Sequence, residues 1–310
     1  MLTAPDANSP PPFLKGANLP WVHYGIDFGA NAWRPEGGIA QPEERAEVEH
    51  AFTQLAAAGV RYVRWFLLCD GRAGITFRSD PSTALRAGRP IGLDDFVFRD
   101  IDAALEVASR HDIRIMFVLL DFLWCDPASV TRGVQMGGRA HLLADEDNRS
   151  ALLDRVVHPL IERYADEPQI MAWDVMNEPE WIKTVDGEDL RAFLRETIAL
   201  IRSSSIHPIT IGSAGVRWRA SYSDLDLDFY QVHWYDSLKH QPSLETPVAQ
   251  LGFDRPVLLG EFPTRGSTRT FDEIVASARG AGYMGAFFWS VLSKDQYSAG
   301  SWDARPGLRT

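Results

Sequence analysis

A single-domain α/β fold, a (β/α)8 TIM barrel, is what this sequence predicts, on three observations. Short apolar runs alternate with segments of helical periodicity along nearly the whole chain. Eight such runs occur, joined by crossovers long enough for parallel pairing. The length, 310 residues, suits one barrel of roughly 250 residues with insertions.

The elements follow in chain order. Residues 1–12, rich in Pro, Ala, Ser and Asn, read as a disordered lead-in, and residues 13–310 as the barrel. The first strand is expected at 13–19. A helix at 42–58 puts Val48, Phe52, Leu55 and Ala56 on one face, and Gly59 stops it. The second strand is 60–68. A helix at 93–110 turns Phe98, Ile101, Leu105 and Ala108 inward, with Asp94 and Asp95 favourably near its N-terminus. The third strand, 113–121, is almost continuously apolar. A long helix at 146–165 carries two apolar rows, Leu152, Val156, Leu160 and Leu153, Val157, Ile161, and Pro159 should kink it. Strand four is 170–177. The helix at 188–203 lines up Leu190, Leu194, Ile198 and Ile201. Strands five to eight are 209–213, 229–234, 257–261 and 285–290, with a helix at 271–281 between the last two. The connections after strands five and six are shorter and more irregular, and no helix is assigned there. Only 20 residues follow Ser290, so the last helix is expected to be reduced or missing. Loops 20–41, 69–92 and 122–145 are long and are expected to wall a cleft.

Composition narrows the function. Hydrophobic residues make up 45% and charged residues 24%, enough for a sizeable core. A net charge of −11 argues against nucleic acid or an anionic membrane as partner and suits an uncharged substrate. No stretch is long enough to span a membrane. The N-terminus lacks the basic and apolar regions of a signal peptide, so a cytoplasmic protein is the simplest expectation, or a secreted one if a signal has been lost. A monomer is expected. Two cysteines, Cys69 and Cys125, follow predicted neighbouring strands. A single bridge is geometrically allowed, and two free thiols are favoured. Ten tryptophans are many, and Trp65, Trp124, Trp181, Trp234 and Trp289 fall just past strands. Each has a plain core reading. As a set they suit stacking platforms for the apolar faces of sugar rings.

Two glutamates carry the chemistry. Glu178 ends strand four in Trp173-Asp174-Val175-Met176-Asn177-Glu178-Pro179, and Glu261, 83 residues later, ends strand seven. Carboxylates at the C-terminal tips of barrel strands lie where this architecture keeps its active sites. A facing pair supplies an acid/base and a nucleophile for cleaving a glycosidic bond, because two close carboxylates resist double ionisation and one keeps its proton. The plain alternative for each is a carboxylate beside a helix N-terminus. There is no nucleophile elbow, phosphate loop or clustered metal ligand set, so no cofactor and no metal are expected.

With Arg64 at the end of strand two, His233 and Tyr235 at the end of strand six and Trp289 at the end of strand eight, the chain resembles the retaining glycoside hydrolases of clan A, most nearly family 5, the cellulase- and β-mannanase-like enzymes. The resemblance spans roughly residues 13–290. It implies that Glu178 is the acid/base and Glu261 the nucleophile. It also implies that Arg64 and Tyr235 hold Glu261, that Asn177 binds the sugar 2-hydroxyl, that His233 steadies Glu178 or the substrate, and that Trp289 floors the subsite of the transferred sugar. Trp21 joins the expected substrate contacts. Trp181, beside Glu180, would meet the leaving-group sugar or form a surface turn. One position departs from the pattern: many members carry a histidine at the end of strand three, and this chain has none. Asp121 or Trp124 is expected on that wall, with His23 or His141 available to compensate. The implied activity is retaining hydrolysis of a β-linked oligosaccharide or polysaccharide, of mannan or glucan type. A non-catalytic carbohydrate-binding barrel, an exo-acting β-mannosidase or β-galactosidase, and a metal-dependent barrel enzyme are the competing readings.

Overall fold

The computed structural model describes residues 12–78 and 88–299. Its elements are β1 (Leu14–Asn18), α1 (Pro42–Ala57), β2 (Tyr62–Phe66), β3 (Ile75–Phe77), β4 (Pro90–Leu93), α2 (Val97–Arg110), β5 (Arg114–Asp121), β6 (Ser129–Thr131), β7 (Val134–Met136), α3 (His141–Ala144), α4 (Glu146–Leu152), α5 (His158–Arg163), β8 (Ile170–Asn177), α6 (Gly187–Ser204), β9 (Ile209–Ser213), β10 (Tyr230–His233), β11 (Val257–Pro263), α7 (Phe271–Ala281) and β12 (Gly285–Trp289). Strands β1, β2, β5, β8, β9, β10, β11 and β12 close into one parallel barrel, as the alternation of apolar runs and helices predicts. Most of the predicted lead-in and everything after residue 299 lie outside the described residues. The described chain after β12 is irregular up to that point.

The barrel interior is filled in layers. Towards the N-terminal ends of the strands, Met116, Ala172, Leu258 and Phe287 pack with Phe229 into a buried apolar floor. Gly16 on β1 makes room for it: a Cβ there would stand 2.2 Å from the Phe287 ring. Above the floor lie buried polar side chains, Asn18, Arg64, Asp174 and Gln231. Asn177, His233 and Glu261 follow at or near the C-terminal tips. Outside the strands, Val48, Phe52 and Leu55 of α1, Ile101 and Leu105 of α2, Leu194 and Ile198 of α6 and Ile274 of α7 bury the helices against the sheet.

Three features depart from the sequence reading. The helix expected from 93 begins at Val97, because β4 pairs antiparallel with β3. Asp94 still serves the helix start by accepting hydrogen bonds from the Phe96 and Val97 amides. The long helix at 146–165 is divided by a π-helical turn, Leu153–Val157, between α4 and α5. Proline at 159 cannot donate to the carbonyl of Arg155, and the wider turn absorbs the mismatch just ahead of it. Both apolar rows are buried as expected. After β9 and β10 stand only the short 3-10 turns Val216–Ser221 and Val248–Gln250, in keeping with the irregular connections expected there. The hairpin β6–β7 and the single helical turn α3 were not expected.

Candidate active site

Arg64 is the centre of the polar layer. It is wholly buried, and four acceptors share its guanidinium. Nε donates to Asp174 Oδ2 (2.9 Å), Nη1 to Asn18 Oδ1 (3.1 Å) and Glu261 Oε1 (2.6 Å), and Nη2 to Asn177 Oδ1 (2.8 Å). Asp174 is held in turn by the Gly212 amide (2.9 Å) and Gln231 Nε2 (2.8 Å). A side chain on Gly212 would crowd Arg64 Nη2 at 2.6 Å, so the approach of β9 to this network needs glycine. Removing one partner from such a buried charge cluster typically costs about 3–5 kcal/mol.

Glu261 projects from β11 into the cleft. Besides Arg64, the Tyr235 hydroxyl donates to its Oε2 (2.7 Å). Burial pushes its carboxyl up, while His233 and Arg64 pull it back. Glu178 follows β8 in the left-handed backbone region (φ 44°, ψ 51°), a conformation uncommon for a side chain of this size. The Trp181 indole donates to its Oε2 (2.8 Å), and His233 Nδ1 lies 2.7 Å from its Oε1. Burial pushes Glu178 up to about 7. The cation and the tyrosine both favour charge on Glu261, so the shared proton belongs to Glu178.

His233 is buried and pushed down to about 4, chiefly by desolvation. Its Nδ1 faces both carboxyl groups, at 2.7 Å from Glu178 and 3.5 Å from Glu261. That places the proton of the neutral ring on Nδ1, where it can donate, and leaves a lone pair on the buried Nε2. One oxygen each of Glu178 and Glu261 and a ring nitrogen of His233 all lie within 4.8 Å of one another. This trio and His23, Glu44 and Glu47 are the two metal-compatible clusters among the described residues. In the first, Arg64, Tyr235 and Trp181 already occupy carboxylate lone pairs. In the second, Arg34 already pairs with Glu44.

These groups open into a cavity of about 410 Å³ lined by Trp21, Asp121, Asn177, Glu178, Trp181, Tyr235, Glu261 and Trp289, with Phe122, Leu123, Leu238, Asp295, Gln296 and Tyr297. Trp289 donates its indole N–H to Asp295 Oδ2 (2.8 Å) and meets Trp21 edge-on at 6.0 Å. Trp181, next to the acid/base candidate, is tied to it rather than forming a free surface turn. Glu180 points away, accepting from Ser213 Oγ (2.5 Å) and the Ala214 amide, and burial pushes it up to about 7.

Several expectations fail here. Trp124 does not reach the cleft. It is wholly buried, with its indole donating to the Leu68 carbonyl, because the 3-10 turn Phe122–Cys125 folds it back over the loop after β2. Of the two, Asp121 takes the wall at the end of the third barrel strand, with Phe122 and Leu123 beside it. His23 lies off the cavity, 2.6 Å from Glu44, because the loop after β1 turns it towards α1. His141 begins α3, also off the cavity. Trp65 is core, and Trp234 packs against the core. The described residues of loop 69–92 give the cavity no lining residue; the loops after β10 and β12 do. Cys69 and Cys125 are free and buried. The sequence reading missed Asn18, Asp174 and Gln231, though a polar residue inside an otherwise apolar barrel strand is itself a signal. Asp295–Tyr297 carried none.

Fold and paired glutamates together make a closed parallel barrel with two facing carboxyl groups at its C-terminal mouth. No family model matches the chain. It is 24% identical over 329 residues to the mannan endo-1,4-beta-mannosidase of Mytilus edulis, covering 90% of this chain and 83% of that protein. Among solved structures it resembles an endo-1,4-beta-mannanase from Eisenia fetida (TM-score 0.79, 22% identity, 96% of this chain and 90% of that one). It also resembles a beta-1,4-D-mannanase from Cryptopygus antarcticus (TM-score 0.76, 18% identity, 96% and 89%). These likenesses bear out the family 5-like resemblance read from the sequence. Among the described residues no helix is long and apolar enough to cross a membrane.

Proposed function

We propose that this chain is a retaining β-glycoside hydrolase that cleaves β-1,4-mannan, with Glu178 as acid/base and Glu261 as nucleophile. The observation that carries the reading is the approach of the two carboxyl groups, an oxygen of each within 4.8 Å of the other. Retaining enzymes hold this pair about 5–5.5 Å apart, and inverting enzymes need about 6.5–9.5 Å to admit a water. In the first step ionised Glu261 attacks the anomeric carbon, forming a C–O bond as the glycosidic C–O bond breaks. Glu178 gives its proton to the departing oxygen. In the second, Glu178 takes a proton from water, whose oxygen displaces Glu261. Asn177 and the tryptophans Trp21, Trp181 and Trp289 bind the sugars. The choice of mannan and of internal cleavage rests on the names of the relatives. The residues assigned to the chemistry all come from one chain, which suits a monomer, and the −11 charge suits a neutral polysaccharide. A polymeric substrate favours the secreted alternative for location.

The experiment is hydrolysis of β-mannan, β-glucan and aryl β-glycosides by the wild-type chain and by Glu178→Gln and Glu261→Gln. Mannan should be preferred, the anomeric configuration retained, and either substitution should lower kcat by about a thousandfold or more with the circular dichroism unchanged. Full activity in either variant, or inversion, removes the assignment. A carbohydrate-binding barrel without catalysis would have no need of the Arg64 and Tyr235 bonds to Glu261.

A further inference from the structure

Asn177 is gripped at both ends. Its Oδ1 accepts from Arg64 Nη2 (2.8 Å), and its Nδ2 donates to Asp121 Oδ2 (2.9 Å). An amide side chain has two ends of nearly equal shape, and its last torsion is soft. Arg64 alone leaves that torsion loosely set, because the guanidinium also serves Asp174, Asn18 and Glu261. The second contact removes the freedom. Turning the amide over would set its NH2 against a guanidinium, repulsive whatever the charge of Asp121, and its oxygen against a carboxylate oxygen when Asp121 is ionised.

Asp121 is itself fixed. It ends β5 directly opposite Asn177 in the β5–β8 register. Its Oδ1 accepts from the Leu123 amide (2.9 Å), and its own amide donates to the Cys69 carbonyl (3.0 Å). It is almost fully buried, yet its exposed edge borders the cleft beside Asn177 and Glu178. Asp121, Asn177, Arg64 and Glu261 thus form one unbroken chain of hydrogen bonds across β5, β8, β2 and β11.

We propose that Asp121 is a positioning residue: it locks the Asn177 amide so that the second Nδ2 hydrogen faces the cleft, ready for the sugar hydroxyl beside the reacting carbon. The assignment rests on the glycosidase reading above. Asp121 then contributes in the transition state, where that hydroxyl contact strengthens, more than in ground-state binding. Either charge state of Asp121 can accept both hydrogen bonds.

A double-mutant cycle tests it, with an aryl β-mannoside as substrate and Asp121→Ala, Asn177→Ala and the pair as enzymes. Asp121→Ala should lower kcat about tenfold with KM within about twofold, and the same change in the Asn177→Ala background should lower kcat by less than about threefold, the non-additivity of residues acting as a unit. Unchanged kcat in Asp121→Ala, or penalties that multiply in the double variant, overturns the proposal. If Asp121→Ala does not fold, Asp121→Asn replaces it in the cycle. Its single carbonyl can serve Leu123 or Asn177 but not both, so the same loss of kcat and the same non-additivity are expected. A wild-type chain that hydrolyses no β-glycoside removes the functional reading and this role together. A working wild type with multiplying penalties removes only the role of Asp121.

Discussion

Trp181 and Tyr235 set the two limbs of the pH profile from opposite sides. Glu178 acts as an acid only while protonated, so activity should fall as pH rises through about 7. The Trp181 N–H bonds the ionised form and holds that value down. Trp181→Phe should therefore raise it and move the alkaline limb of kcat/KM to higher pH. Glu261 attacks only when ionised, and Tyr235 supports that charge. Tyr235→Phe should lower kcat by about ten- to a hundredfold and move the acid limb up in pH. Profiles of both variants on an aryl β-mannoside check this; limbs that stay in place contradict the assigned contacts. At this scale the sequence was legible where a residue sits on a strand tip. Glu178, Glu261, Arg64, His233 and Tyr235 all meet as expected, because the barrel fixes where strand ends point. It was not legible a few residues further on. Trp124 and Trp181 stand three and four residues past a strand end, and only the fold of the turn decides that one ring is buried and the other faces the cleft.

Among elements, the barrel strands were readable because burial on both faces writes them as continuous apolar runs. The strands Ser129–Thr131 and Val134–Met136 were not, since three residues, the first strand fully exposed, leave no periodicity to detect. The start of α2 was misread because 90–93 belongs to a hairpin whose partner lies beyond a loop, a long-range pairing that local pattern does not encode. Two elements carry local signals strong enough to test. Thr270 and Glu273 form a reciprocal cap on α7, with Thr270 Oγ1 accepting from the Glu273 amide (3.3 Å) and the Glu273 carboxylate from the Thr270 amide (2.7 Å). Thr270→Ala should cost about 1 kcal/mol, a fall in Tm of roughly 2–4 °C by calorimetry, with activity unchanged. Gly16 is the stronger case. Gly16→Ala drives a Cβ into Phe287 and should cost about 1–3 kcal/mol by overpacking the barrel floor. Phe287→Leu in the same chain should recover part of that loss. If the double variant is no more stable than Gly16→Ala alone, the floor is not what requires glycine.

For the molecule as a whole, the cleft and the fold compete for protons. Burial pushes Asp27, Glu178 and Glu180 up to about 7 and Asp121 to about 8, from ordinary values of 3.8 for aspartate and 4.5 for glutamate. A carboxyl raised on folding contributes stability that is fully present below its unfolded value and is lost as pH climbs through its folded value. Between about pH 4.5 and 8 these four carboxyls bind more protons in the native chain than in the unfolded one, outweighing His233, which folding lowers from 6.5 to about 4 and which acts the other way, so stability should decline across that window. The opposite kind of group acts lower down. Hydrogen bonds from Arg191 and Arg195 hold Asp224 at about 2, and contacts led by Ser243 and Arg269 hold Glu245 at about 2. Their contribution, small because both are solvent-exposed, is present above the unfolded value near 4 and is lost as pH falls towards 2. Together these place the maximum of Tm at about pH 4–6, on the acid side of neutrality. Calorimetry from pH 3 to 9 tests the curve, and Glu178→Gln tests its cause. An amide cannot ionise, so the variant should lose less Tm than wild type between pH 5 and 8 and be the more stable of the two at pH 8. A Tm that is flat or rises through that interval would mean that these carboxyls fold in their charged forms, and the proton assigned to Glu178 at neutral pH would go with them.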